Sequence, residues 1–256
     1  AFSLVILFTL FHDLLAYLGW VGEKNVKSLQ YFYIFGESLF IIVPVFYARY
    51  RQYNIKKLFR IRPVSIKVIV LSILIGITLS ILSDELDRII NLFFEMPDWL
   101  VTQSESLKAS NTLEFVLTFT GIVLVASIAE EGMFRGFLQY SLEKHGDVTR
   151  AVLLSSIAWT LIHMNVYWSI QLFLMGVVIG YLAWRTKSLI PGIIIHAMNN
   201  FIGVVFLNFN LSPYMNWYEQ NNHVSPVVLV IAAGILFWSV NTINKDAKRL
   251  KFGDEQ

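Results

Sequence analysis

Long apolar runs separated by short polar turns dominate this chain. The first covers residues 2–20, interrupted by His12 and Asp13, and the second covers 29–47, with Glu37 inside it and Pro44 near its end. Six more follow at 68–82, 113–129, 151–164, 168–184, 189–207 and 224–240. A helix of roughly 17–25 apolar residues is long enough to cross a bilayer. The pattern therefore predicts an all-α, polytopic transmembrane helical bundle of about eight membrane spans. Pro191 suits the first turn of the seventh span, and Pro44 should kink or end the second. Between the third and fourth runs, residues 83–111 are mixed and acid-rich, with Phe93, Phe94 and Trp99 as apolar anchors. That stretch reads as an amphipathic segment lying on the outer interface.

Charge distribution then sets the expected sidedness. Basic residues gather at 49–67, 144–150, 185–187 and 245–251, while Lys24, Lys27, Arg88 and Lys108 are scattered elsewhere. Loops rich in Lys and Arg stay in the cytoplasm. With eight alternating spans, every strongly basic loop and the C-terminal tail fall on that side, as expected of a prokaryotic cell membrane protein. One integral membrane domain, 1–256, is expected, with a core at 113–208 and a cytosolic tail at 241–256. Ala1 already lies in an apolar run without an initiator Met, so a processed or shortened start is expected.

Composition narrows the chemistry. Hydrophobic residues make up 56% of the 256 and charged residues 15%, more apolar than a soluble domain of this length requires. A net charge of +2 gives no reason to expect a nucleic-acid partner. Cysteine is absent, which excludes disulfides, thiolate catalysis and Cys-type zinc or iron–sulfur sites.

Against this background, some polar residues are out of place. Glu130, Glu131 and Arg135 follow directly on the fourth run. Glu131 and Arg135 are one helical turn apart in the favourable order for an ion pair, whereas Glu130 is turned about 100° away. His163 lies one turn after Trp159, and Asn200 one turn after His196, so each pair shares a helix face. Singly, each has a plain explanation: a solvated charge cluster at a span's end, or polar glue between helices. Together, an acid, two imidazoles and an amide on three spans form a set that can do chemistry. A buried carboxylate can act as general base for water, an imidazole can orient that water, and His–Asn N–H groups can meet an oxyanion. No serine or threonine is evidently activated, which leaves hydrolysis by activated water.

The ordered motifs Glu130-Glu131-x-x-x-Arg135, Trp159-x-x-x-His163 and His196-x-x-x-Asn200 resemble the CPBP family of CAAX proteases and bacteriocin-processing enzymes, also called Abi. That group contains the type II CAAX prenyl endopeptidases, and the resemblance covers about residues 113–208. It implies an intramembrane glutamic-type endopeptidase acting on a peptide or lipidated protein within membrane lipid, with no cofactor. It further implies that Glu130 and His163 activate water, that His196 and Asn200 hold the oxyanion, and that Glu131, Arg135 and Trp159 support or position substrate. The family usually carries Phe where this chain has Trp159.

Other readings use the same residues. A zinc peptidase would bind metal through Glu130, His163 and His196, although the chain lacks His-Glu-x-x-His. A membrane scaffold or bacteriocin-immunity protein would bind a peptide without cutting it. A transporter would use the acids as a proton relay, but matching inverted repeats are not evident.

Overall fold

A computed structural model describes residues 26–253, so the run at 2–20 lies outside the described residues. The described chain is nearly all helix. In order come α1 (Val26–Tyr50), α2 (Ile55–Leu58), α3 (Ile66–Asn91), α4 (Asp98–Ser106), α5 (Thr112–His145), α6 (Val148–Ile162), α7 (Ser169–Thr186), α8 (Ile190–Asn208) and α9 (Pro226–Gly253). Five of these, α3, α5, α7, α8 and α9, are long and apolar enough to cross a membrane. The other expected runs in this part of the chain correspond to α1, with 25 residues, and α6, with 15. At about 1.5 Å per residue α6 covers about 22 Å, less than the ~30 Å of a hydrocarbon core.

Local signals explain several of the helix starts. The Asn111 side chain accepts from Glu114 N at 3.0 Å, and the Glu114 carboxylate answers by accepting from Asn111 Nδ2 and Ser110 N. This reciprocal cap fixes where α5 begins. Asp147 caps α6 by accepting from Arg150 N, and Pro191 lies in the first turn of α8.

Two helices run further than their apolar runs. Helix α3 continues through the acidic residues because a small hairpin occupies them. Its strands are β1 (Glu219–Gln220) and β2 (His223–Val224), and its turn is Asn221-Asn222, with φ of 53° and 64°. Tyr218 donates to Asp84 at 2.7 Å, Glu85 accepts from Val224 N at 2.7 Å, and Arg88 pairs with Glu219. Residues 83–111 are therefore not one interfacial segment. They divide into the end of α3, a turn, and the separate short α4.

Helix α9 likewise passes through the basic residues to Gly253. Asp246 lies 2.9 Å from Lys67, Asn244 accepts from Arg185, and Ile243 is buried. Residues 243–246 are packed against the bundle.

The core gathers Leu71, Ile75 and Leu79 of α3 with Phe134 of α5, Trp159 of α6, Ile179 of α7 and Ile195 of α8. Helices α3 and α8 approach closely at Gly76, where a Cβ would stand 2.6 Å from Met198 Cβ and 3.1 Å from the Ile195 carbonyl. A small residue at such a crossing is the usual way for membrane helices to pack.

Candidate functional site

The site is built on α5, which is not uniformly α-helical. Phe119–Ala126 and Gly132–Leu138 are wound as π-helix, and the α-helical Ser127–Glu131 lies between them. Wide turns of this kind leave backbone carbonyls open to outside donors and are frequent at functional sites. One is used here: Asn200 Nδ2 donates to the Ile122 carbonyl at 2.8 Å, tying α8 to the first π segment.

The two adjacent glutamates face different partners. Glu131 is fully buried, with Oε1 3.0 Å from Arg135 Nη1 and 3.2 Å from His196 Nδ1. Arg135 is also fully buried, donates from Nη2 to the Gly176 carbonyl, and lies 4.6 Å from the centre of the Trp159 ring. Gly192 leaves room for this acid, since a Cβ there would stand 3.1 Å from Glu131 Oε2.

Glu130 points to the other side of α5. Its Oε2 accepts from Trp159 Nε1 and lies 3.9 Å from His163 Nε2. His163 Nδ1 is 2.8 Å from the Trp159 carbonyl, which can only accept, so Nδ1 carries the hydrogen. In the neutral ring, Nε2 then presents its lone pair towards Glu130. Glu130 is 5% exposed, while the His163 side chain is 29% exposed and forms the open edge of the site.

Trp159 joins the two halves. It is fully buried, with ring-centre separations of 5.0 Å to His163 and 5.3 Å to His196, both edge-on. Beside the site, a cavity of about 610 Å³ is lined by Asn199, Asn200 and Gly203 of α8, Ile122 of α5, and Trp168 and Met175.

The structure therefore brings Glu130, Trp159 and His163 together, and separately Glu131, Arg135 and His196. It does not place the His196 and Asn200 side chains on one partner. A zinc site would require Glu130, His163 and His196 to converge. His196 Nδ1 is on Glu131 instead, and no three acid or imidazole groups among the described residues are arranged to hold an ion.

One acid belongs here that sequence reasoning noted but did not use. Glu37 of α1 faces Glu130 across the contact between α1 and residues 127–131 of α5. The spacing of Ile34, Glu37 and Ile41 on one helix face was the available sign.

Apolar helices enclosing buried acids, a buried imidazole and a guanidinium define an integral membrane protein. Residues 112–202 match the family model described as Type II CAAX prenyl endopeptidase Rce1-like. The match begins with α5 and ends inside α8, and it takes in Glu130, Glu131, Arg135, Trp159, His163, His196 and Asn200. No curated protein and no solved structure matches the chain. At family level, this similarity is to membrane endopeptidases of the CAAX type.

Proposed function

We propose that the chain hydrolyses a peptide bond inside the membrane, using water activated by Glu130 and His163. The carrying observation is the placement of Glu130 under the Trp159 indole and opposite His163 Nε2, inside the matched segment. A gap of 3.9 Å is longer than a direct hydrogen bond and suits one bridging water. Glu130 takes a proton from that water as its oxygen bonds to the substrate carbonyl carbon and the C=O electron pair moves onto oxygen. As the C–N bond breaks, the proton passes by way of His163 to the leaving amine.

His196 and Asn200 are the oxyanion donors in this reading. Asn200 uses one N–H on Ile122 and keeps the second. His196, held at Nδ1 by Glu131, offers Nε2–H when it carries both protons. The cavity beside Asn200 receives the substrate, a peptide or lipidated protein. No cofactor takes part.

Cleavage of a farnesylated peptide ending in a CAAX sequence, beside the same peptide unprenylated, tests this in purified protein. Hydrolysis is expected to survive strong chelation. Stoichiometric zinc, with activity lost on its removal and restored on re-addition, would establish the metal reading instead.

Trp159→Phe keeps a ring against His163, His196 and Arg135 but removes the N–H that holds Glu130. A loss of about 1–3 kcal/mol in stability is expected from the stranded acceptor. Turnover of the same peptide should fall by no more than about tenfold, because only orientation is lost. Larger losses would make the indole a direct participant.

We place the basic loops in the cytoplasm. Single cysteines at Lys56 and Lys248 should label from that side in sealed vesicles, and with no native thiol the readout is clean. Labelling only from the outside would overturn the orientation.

A further inference from the structure

Glu37 reaches the site from α1, a helix outside the matched residues 112–202. Ile34, Glu37 and Ile41 lie on one face of α1, and that face is pressed against α5. A Cβ on Gly121 would stand 3.0 Å from Ile34 Cγ1, and one on Gly132 would collide with Ile41 Cδ1. Two glycines of α5 thus let α1 in closely, above and below the level of Glu130. Glu37 lies between these contacts, and its buried Oε2 has no hydrogen-bond partner among the described residues.

Ionised carboxylates only accept hydrogen bonds, so two of them can bond to each other only through a proton. The other charged and titratable groups at this point are already engaged. Arg135 is paired with Glu131, His196 is on Glu131, and His163 faces Glu130 at 3.9 Å. No cation in this set is left to neutralise a second buried acid.

We propose that Glu37 and Glu130 form a carboxyl pair holding one proton between them, which makes Glu37 a positioning residue for the general base. The role in catalysis rests on the reading of Glu130 given above; the shared proton does not. Glu37 keeps the proton at rest, and Glu130 presents its ionised oxygen to water. When water gives up a proton, the pair holds two. One is passed on through His163 to the amine nitrogen as the C–N bond breaks and the carbonyl re-forms. The pair then returns to a single proton, and the products are a carboxylic acid and an amine. Two carboxyl groups sharing one proton form the working unit of aspartic proteases as well.

The test uses the purified full chain, first without substrate. With isotopically labelled glutamate, the infrared spectrum near neutral pH should show the C=O stretch of a buried protonated carboxyl. That band should vanish in Glu37→Gln and shift in Glu130→Gln, where the partner becomes an amide. No such band in the wild type, or an unshifted one in Glu130→Gln, would overturn the pair. Should Glu37→Gln not fold, Glu37→Asp serves in its place, with a displaced band expected and an unchanged band counting against the pair.

Turnover of the farnesylated peptide is the second readout. Glu37→Gln should lower kcat by about 10- to 100-fold with KM within about twofold. The acid limb of its kcat/KM profile should move up, because the carboxyl proton that stabilises the ionised base is replaced by a weaker amide donor. Wild-type kcat with an unmoved profile would refute the positioning role. A wild type with the band but without peptidase activity would count against the proposed function and leave the pair standing.

Discussion

Glu130→Gln is expected to lower turnover of the farnesylated peptide by about 10²–10⁴-fold. The melting temperature in detergent should be unchanged. The amide oxygen of Gln can still accept from Trp159 Nε1, so the local packing keeps its one direct hydrogen bond on that side. What is lost is the ability to take a proton from water. The variant should therefore still bind peptide, and a binding measurement beside the rate measurement separates loss of chemistry from loss of affinity. Full turnover by a folded Glu130→Gln protein, with Glu131→Gln inactive and equally stable, would reverse the roles of the two acids.

The second large effect is on stability, at the adjacent residue. Glu131→Gln leaves the Arg135 guanidinium in the core without its counter-charge, since both side chains are fully buried. Breaking one side of such a pair costs about 3–5 kcal/mol. His196 loses its carboxylate partner in the same substitution. Thermal or denaturant unfolding in detergent is the measurement, and an unchanged midpoint would show that the pair is not stabilising. Exchanging the charges, Glu131→Arg with Arg135→Glu, should recover only part of the loss. A carboxylate at 135 would face the Gly176 carbonyl that now accepts from Nη2, and the ring of Trp159 would lose its cation.

The features that depend on helical spacing were legible in the sequence. The Glu131–Arg135 pair, the Trp159–His163 stack and the Pro191 start of α8 each follow from residues three or four apart or from the chemistry of one residue. The different headings of Glu130 and Glu131 follow from the same arithmetic.

Features that depend on which helices meet were not legible. Nothing in the residues 68–91 says that a hairpin more than a hundred positions away will occupy Asp84 and Glu85, so the apolar run by itself marks too early an end to the helix. The shared face of His196 and Asn200 follows from their spacing, but the attachment of His196 to Glu131 is a contact between α8 and α5 that no local pattern encodes. Glu37 was visible as an acid in an apolar run, but its neighbour was set by Gly121 and Gly132 on a different helix. The π-wound segments left no mark either, because Phe119–Ala126 is apolar throughout and reads like any spanning helix.

Those wide turns change what a sequence edit in α5 means. Removing one residue from the α-helical positions 127–129, between the two π segments, leaves the span apolar and still long enough to cross a bilayer, so its hydropathy profile barely changes. Every side chain beyond the edit, however, turns by about 100° about the helix axis. Glu130 would be carried away from Trp159, and Glu131 from His196, with no catalytic residue altered. The helix behaves as an angular scale with its zero at the Ile122–Asn200 hydrogen bond, on which insertions and deletions register as rotations.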